Sequence, residues 1–220
     1  MHRNDIVKNI KPSIIIADDH PIARIGFRLS IERAECGRVL GEVESGDELL
    51  RCLEQMNPDV IVTDLSMRQS KTDGLELVAT LIRRHPRIKV IVVTMAAMPQ
   101  MVEALIRLGV SGLVSKNDDM SELARAIRRS ELAMPYIGRY FRKQAKVHAL
   151  SALGARLSDT EVEVLRLMSL GLSVVDVAKR RCRSSATISR QKTNAARKLG
   201  ISDHQKLHEY LASIHGGAIA

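Results

Sequence analysis

The chain predicts an α/β fold, a doubly wound five-stranded parallel sheet, followed by a small all-α domain. Three observations carry this reading. Near-continuous apolar runs stand at 13–17, 59–63, 89–93 and 110–115, with a weaker one at 39–43, as strands covered on both faces require. Helical patterns separate them, so right-handed crossovers would align the strand C-termini along one edge. After residue 157 the strand pattern disappears and short capped helices follow.

The first strand runs into Asp19-His20-Pro21, a helix start with Pro in the first turn and apolar Ile22, Ile25 and Leu29 at helical spacing. Asp19 thereby has an ordinary structural reading as the cap. A helix over 47–56 follows the second strand, and Pro58 precedes the third. Gly74 opens a helix reaching about 85. The fourth strand precedes a helix over 98–108 that Gly109 stops, and 121–132 is the last helix of this half. Between 133 and 156 periodicity fades and Pro135, Gly138 and Gly154 mark a linker, helical between 139 and 150. Ser158 with Glu161 forms a capping box, and Ser173 with Asp176 repeats the start signal. Helices are expected over 158–170, 174–180, 185–199 and 202–214, with a tight turn between the second and third. That spacing is the organisation of a helix-turn-helix.

Four of the strands end in residues suited to phosphoryl chemistry: Asp18 and Asp19, Asp64, Thr94 and Lys116. An Mg²⁺ ion takes hard oxygen ligands, and three carboxylates on one sheet edge supply them. A carboxylate can accept a phosphoryl group when a metal and an ammonium offset the incoming charge. Each residue alone is an unremarkable turn or cap group. Their shared edge is what points to chemistry.

The net charge of +9 is uneven. Residues 1–120 carry 16 Lys+Arg against 17 Asp+Glu, 121–150 carry 7 against 2, and 151–220 carry 11 against 6. A basic excess confined to the C-terminal half suits a polyanionic partner there; a merely solvated surface is the plainer reading. With 2% aromatic residues, core packing falls to aliphatic side chains and Met. Cys36, Cys52 and Cys182 are odd in number and widely spaced, as expected of reduced thiols in a cytosol. The polar first nine residues carry no signal-peptide pattern, and no apolar run approaches the roughly 18 residues of a membrane span. A soluble, cytoplasmic protein is expected.

The segments IIIADDHP, VIVTDLSM, IVVTM and GLVSK resemble the signature segments of the response-regulator receiver domain, over about residues 12–131. The resemblance implies a flavodoxin-like receiver (12–132) in which Asp64 accepts a phosphoryl group from a sensor histidine kinase or phosphotransfer protein. It further implies that Asp18, Asp19, Asp64 and the Ser66 main-chain carbonyl hold Mg²⁺, and that Lys116 and Thr94 are the stabilising amine and switch hydroxyl. Arg68 stands where that family usually has Pro, and Leu113 where many receivers have a switching aromatic. A linker (133–156) would join it to the second domain (157–217).

On the third helix of that domain Ile188, Ala195 and Leu199 form an apolar stripe, while Ser189, Arg190, Thr193 and Arg197 fall on the opposite side. Thr187, Lys192 and Lys198 are candidates for phosphate contacts. The run LSDTEVEVLRLMSLGLSVVDVAKRRCRSSATISRQKTNAARKLG resembles the LuxR-type helix-turn-helix, and its pairing with a receiver is similar to the NarL/FixJ family, within it most to the RcsB-like capsule-synthesis regulators. The likeness implies a non-enzymatic regulator of transcription that binds double-stranded DNA as a homodimer and engages RNA polymerase. Arg181 departs from an apolar position of the family. The alternatives are a phosphorylation-independent auxiliary regulator working as a heterodimer, an aspartyl-phosphate phosphatase, and a protein-only adaptor; the phosphatase lacks its Asp-x-Asp spacing here.

Overall fold

The computed structural model describes residues 11–67, 70–95, 98–149 and 157–216. Among them, six parallel strands form one sheet in the order β2-β1-β3-β4-β5-β6. These are β1 (Ser13–Ala17), β2 (Arg38–Val43), β3 (Val60–Thr63), β4 (Lys89–Thr94), β5 (Gly112–Ser115) and β6 (Tyr136–Ile137). The expected five strands form, and β6 corrects their number. Two residues are too few to show an alternation, so the linker sequence concealed it. β6 is held by the Tyr136 N–H on the Ser111 carbonyl (2.9 Å) and by the Tyr136 hydroxyl, which donates to Glu122 (2.7 Å). Pro135 is tolerated at this sheet edge, where no further strand needs its missing N–H.

Strand periodicity sorts the core into two layers. Ile14, Ile16, Val60, Val62, Ile91 and Val93 point one way and pack on Phe27, Ile31, Leu123 and Ile127 of α1 (Pro21–Arg33) and α5 (Ser121–Arg128). Ile15, Ala17, Ile61, Val90, Val92 and Leu113 point the other way. They meet Leu49, Leu77, Leu81 and Leu105 of α2 (Gly46–Cys52), α3 (Gly74–Arg84) and α4 (Pro99–Leu108). Within this domain three helix ends differ from expectation. His20, not Asp19, is the N-cap of α1 and its side chain makes no cap bond, which leaves the Asp19 carboxylate for the sheet edge. α2 stops at Cys52, short of 56. α5 stops at Arg128, short of 132, where the Ser130 hydroxyl takes the Ile127 carbonyl (2.8 Å). α4 ends as expected, on Gly109 at φ 95°, a left-handed cap that favours glycine.

The 139–150 helix forms as α6 (Arg139–Ala149). Beyond it lie α7 (Asp159–Ser169), α8 (Val174–Arg180), α9 (Ser185–Lys198) and α10 (His204–Gly216). Both capping boxes close, Ser158 with Glu161 and Ser173 with Asp176. Val164, Leu167, Val177, Ala178 and Ile188 form the small core of these helices. The opposite side of α7, Val162 and Leu165, joins the layer that covers α3 and α4, so one apolar seam runs from the sheet into the helical domain. Among the described residues no helix is long and apolar enough to cross a membrane.

Leu81 is fully buried in that layer, whereas Ile22 is 85% exposed. Leu81→Ala should lower unfolding free energy by about 2–5 kcal/mol and Ile22→Ala by no more than about 0.5 kcal/mol, as read from urea denaturation.

Candidate functional site: a carboxylate crevice and a basic recognition helix

β1 and β3 are adjacent, and the Asp64 N–H donates to the Ala17 carbonyl (2.8 Å), so the residues just past each strand are forced together. Lys116 follows β5, which pairs with β4, and its N–H donates to the Thr94 carbonyl (2.9 Å). Its long side chain crosses the end of β4 to reach the acids. The ammonium lies 2.6 Å from Asp18 Oδ2 and 2.8 Å from Asp64 Oδ2. Asp19 Oδ1 lies 2.8 Å from His20 Nδ1. Ligating atoms of Asp18, Asp19, His20 and Asp64 all fall within 4.8 Å of one another. Thr94 closes β4 on the same edge and is buried. The Asp18 side chain is wholly enclosed, while 6% of Asp64, 11% of Lys116 and 12% of Asp19 open to solvent, so the Asp64 carboxylate is approachable from the rim.

Burial pushes the Asp64 carboxyl up to about 6; the Asp18 charge adds to this, and Lys116 opposes it through charge and hydrogen bonding. Main-chain N–H groups of Leu65 (2.6 Å) and Ser66 also support its charged form. For Lys116, burial works against the ammonium, but Asp64 and Asp18 outweigh it and raise its pKa. The donor set is hard oxygen from three carboxylates, which fits a Mg²⁺ ion, and the Lys116 charge occupies the centre of that negative field. Leu113 is fully buried between β4 and β6 in the α3/α4 layer. Arg68 lies outside the described residues.

Two neighbours escaped sequence reading. Arg24 is buried under the site and donates to the Asp18 carbonyl (2.6 Å) and to Glu44 (2.6 Å). Arg166 reaches the acceptor loop from α7, donating to Ser66 Oγ at 2.8 Å. A charged residue between Leu165 and Leu167, on a helix whose positions 161–167 are all buried, was the available signal.

On α9, Ile188 and Ala195 are buried and Leu199 is half-buried, as the stripe predicts. Ser189, Arg190, Thr193 and Arg197 are exposed together. The remaining candidates are more engaged. Thr187 Oγ1 is 2.8 Å from Ser184 Oγ in the N-cap, and Lys192 Nζ is 3.4 Å from His204 Nε2. Lys198 donates to Glu161 Oε2 at 2.7 Å, which ties it to the α7 capping box.

Residues 14–128 match the response regulator receiver domain family, and residues 155–211 match the luxR family of bacterial regulatory proteins. The chain belongs to the response regulators, joining a receiver to a luxR-type helix-turn-helix domain. Within that class its relatives are specific. It is 37% identical over 209 residues to the transcriptional regulatory protein RcsB of Salmonella typhi and of Escherichia coli K12, covering 92% of this chain and 94% of theirs. It is 28% identical to the methanol utilization control regulatory protein MoxX of Paracoccus denitrificans, over 86% of each. The structure of RcsB from Salmonella enterica serovar Typhimurium bound to promoter P1flhDC with phosphomimetic BeF3- superposes at TM-score 0.81, with 34% identity over 93% of this chain and all of that one. Another Salmonella typhimurium RcsB structure, covered equally, superposes at 0.62.

Lys116→Gln should leave two enclosed carboxylates facing each other without a cation. We expect a loss of about 3–5 kcal/mol in thermal or urea unfolding without divalent metal, reduced progressively as Mg²⁺ is added.

Proposed function

We propose that this chain is a response regulator whose receiver (12–132) is phosphorylated on Asp64 and whose helix-turn-helix (157–217), carried by the 133–156 linker, then binds promoter DNA. The observation that carries the reading is the Lys116 ammonium shared between Asp18 and Asp64. Mg²⁺, held by Asp18, Asp19, Asp64 and the Ser66 main-chain carbonyl, would supply charge neutralisation at the transferring phosphoryl group. An Asp64 carboxylate oxygen attacks phosphorus as the bond to the donor, a phosphohistidine nitrogen of a kinase or phosphotransfer protein, breaks. Lys116 turns from the free carboxylate to the new phosphoryl oxygens. The Thr94 hydroxyl, on the same edge, is the group placed to follow them.

In the reader, Ser189, Arg190, Thr193 and Arg197 face the bases, with Thr187, Lys192 and Lys198 nearer the phosphates. RcsB relatives are described as bound to promoters and as dimers on DNA, which supports a homodimer here, and a heterodimer is not needed.

Acetyl phosphate with Mg²⁺ should add one phosphoryl group to the native protein, labile to hydroxylamine and absent in Asp64→Asn, as read by intact mass; an unchanged mass would defeat the reading. Binding to a promoter duplex should weaken with salt, with a log–log slope of about −0.9 per phosphate neutralised. Arg190→Ala should cost about 1–3 kcal/mol on its preferred site and less on unrelated DNA.

A further inference from the structure

The two domains meet through buried ions as well as an apolar seam. Arg166 on α7 is 5% exposed, and its guanidinium holds four partners. It donates to Glu163 Oε1 (2.7 Å) and Oε2 (3.0 Å) on its own helix, and across the interface to Asp73 Oδ1 (3.1 Å) and Ser66 Oγ (2.8 Å). Arg180 of α8 adds bonds to Asp73 Oδ1 (3.0 Å) and the Ser70 carbonyl (2.8 Å). Two carboxylates and two guanidiniums thus balance in charge, as burial demands. The approach is close: a Cβ on Gly74, which also sits at φ 62°, would stand 2.5 Å from Glu163 Oε1 and 2.6 Å from Arg166 Nη2. Arg181, the departure noted in the sequence, extends the contact toward Glu76 (3.9 Å).

What these groups grip is the acceptor loop itself. Asp64 opens it, Ser66 follows two residues on, and the Gly74 N–H closes it on the Leu65 carbonyl (2.9 Å). The Ser66 N–H supports the Asp64 carboxylate while the Ser66 hydroxyl receives Arg166, so one residue links the acceptor to the reader domain. The α9 face stays exposed with this clasp closed, so the contact orients the reader and does not mask it.

We propose that Arg166 is a positioning residue that couples the phosphoryl state of Asp64 to the seating of the helix-turn-helix, acting through Ser66 and Asp73. The inference rests on the reading of Asp64 and the Ser66 carbonyl given above. The Ser66 carbonyl would be a ligand of a bound metal, so occupancy of the site would bear on the residue whose hydroxyl Arg166 holds, and by reciprocity a seated reader would favour the loaded acceptor. Clasp and phosphoryl group stabilise the same arrangement.

Hydrogen exchange on the full-length protein, with Mg²⁺ and beryllofluoride as the probe, tests this. In the parent the probe should raise the melting temperature and slow exchange of α7 amides by about fivefold or more. In Asp73→Asn, and in Arg180→Gln, whose side chain is partly exposed and so leaves a folded alternative, the melting temperature should still rise. Exchange in α7 should then change less than about twofold. Arg166→Lys, which keeps the charge but loses the fork, should fall between them. A response of α7 in both Asp73→Asn and Arg180→Gln equal to the parent's overturns the clasp. So does a parent that binds the probe with α7 unmoved. A parent whose melting temperature ignores the probe overturns the acceptor reading as well.

Discussion

Enclosing three carboxylates at one edge of a sheet is unfavourable until a cation is placed among them, and in this molecule the cation is Lys116. Two like charges about 4 Å apart repel by roughly 4 kcal/mol even at an effective dielectric near 20. The ammonium within 2.8 Å of both Asp18 and Asp64 converts that repulsion into attraction. Strand order makes the arrangement possible. Because β1 neighbours β3, the acids after them meet; because β5 lies one strand further out, only a long side chain can span the end of β4. A shorter amine at the same position would leave the charges apart. The same placement suits the proposed chemistry: a cation already bound to a carboxylate would have only to exchange one oxygen for another as negative charge there grew.

The two layers of the sheet serve different ends. The layer under α1 and α5 is closed within the receiver. The layer under α3 and α4 continues into α7 through Val162 and Leu165. Apolar contact of that kind holds surfaces together without fixing their register, whereas a buried ionic cluster tolerates only geometries that satisfy every charge. The seam therefore supplies adhesion, and Asp73, Glu163, Arg166 and Arg180 supply the specific angle. Leu113 is consistent with this division. It is packed at zero exposure in the layer that continues into α7.

Sequence made the site legible and the interface not. Asp18, Asp64 and Lys116 are each one residue beyond an apolar run, and a parallel sheet turns that local fact into proximity. The capping boxes at Ser158 and Ser173 were equally local, and both formed. β6 was hidden because two residues show no period, and the ends of α2 and α5 because competing turn bonds settle them. Arg166 was hidden for a different reason: its partners lie 93 and 100 residues away, and nothing in its own neighbourhood names them. Lys198 is a similar case: its Glu161 partner, 2.7 Å away, lies on a helix that spacing alone could not bring near.

With Lys198 on Glu161 and Thr187 in its cap, the exposed long cations of α9 are Arg190 and Arg197. They are exposed, unlike Lys192, and stand seven residues apart, close to two full turns, so both point the same way. At a rise of about 1.5 Å per residue their backbones are roughly 10 Å apart, and stacked bases along one strand are about 3.4 Å apart. The pair therefore spans about three base pairs if the helix lies along the groove, with the shorter Thr193 between them and Ser189 just before Arg190. Thr193 already donates its hydroxyl to the Ser189 carbonyl (3.0 Å), so it can only accept from the DNA or present its methyl group. Specificity would then rest on two arginines at the ends of the face and apolar contact at its centre.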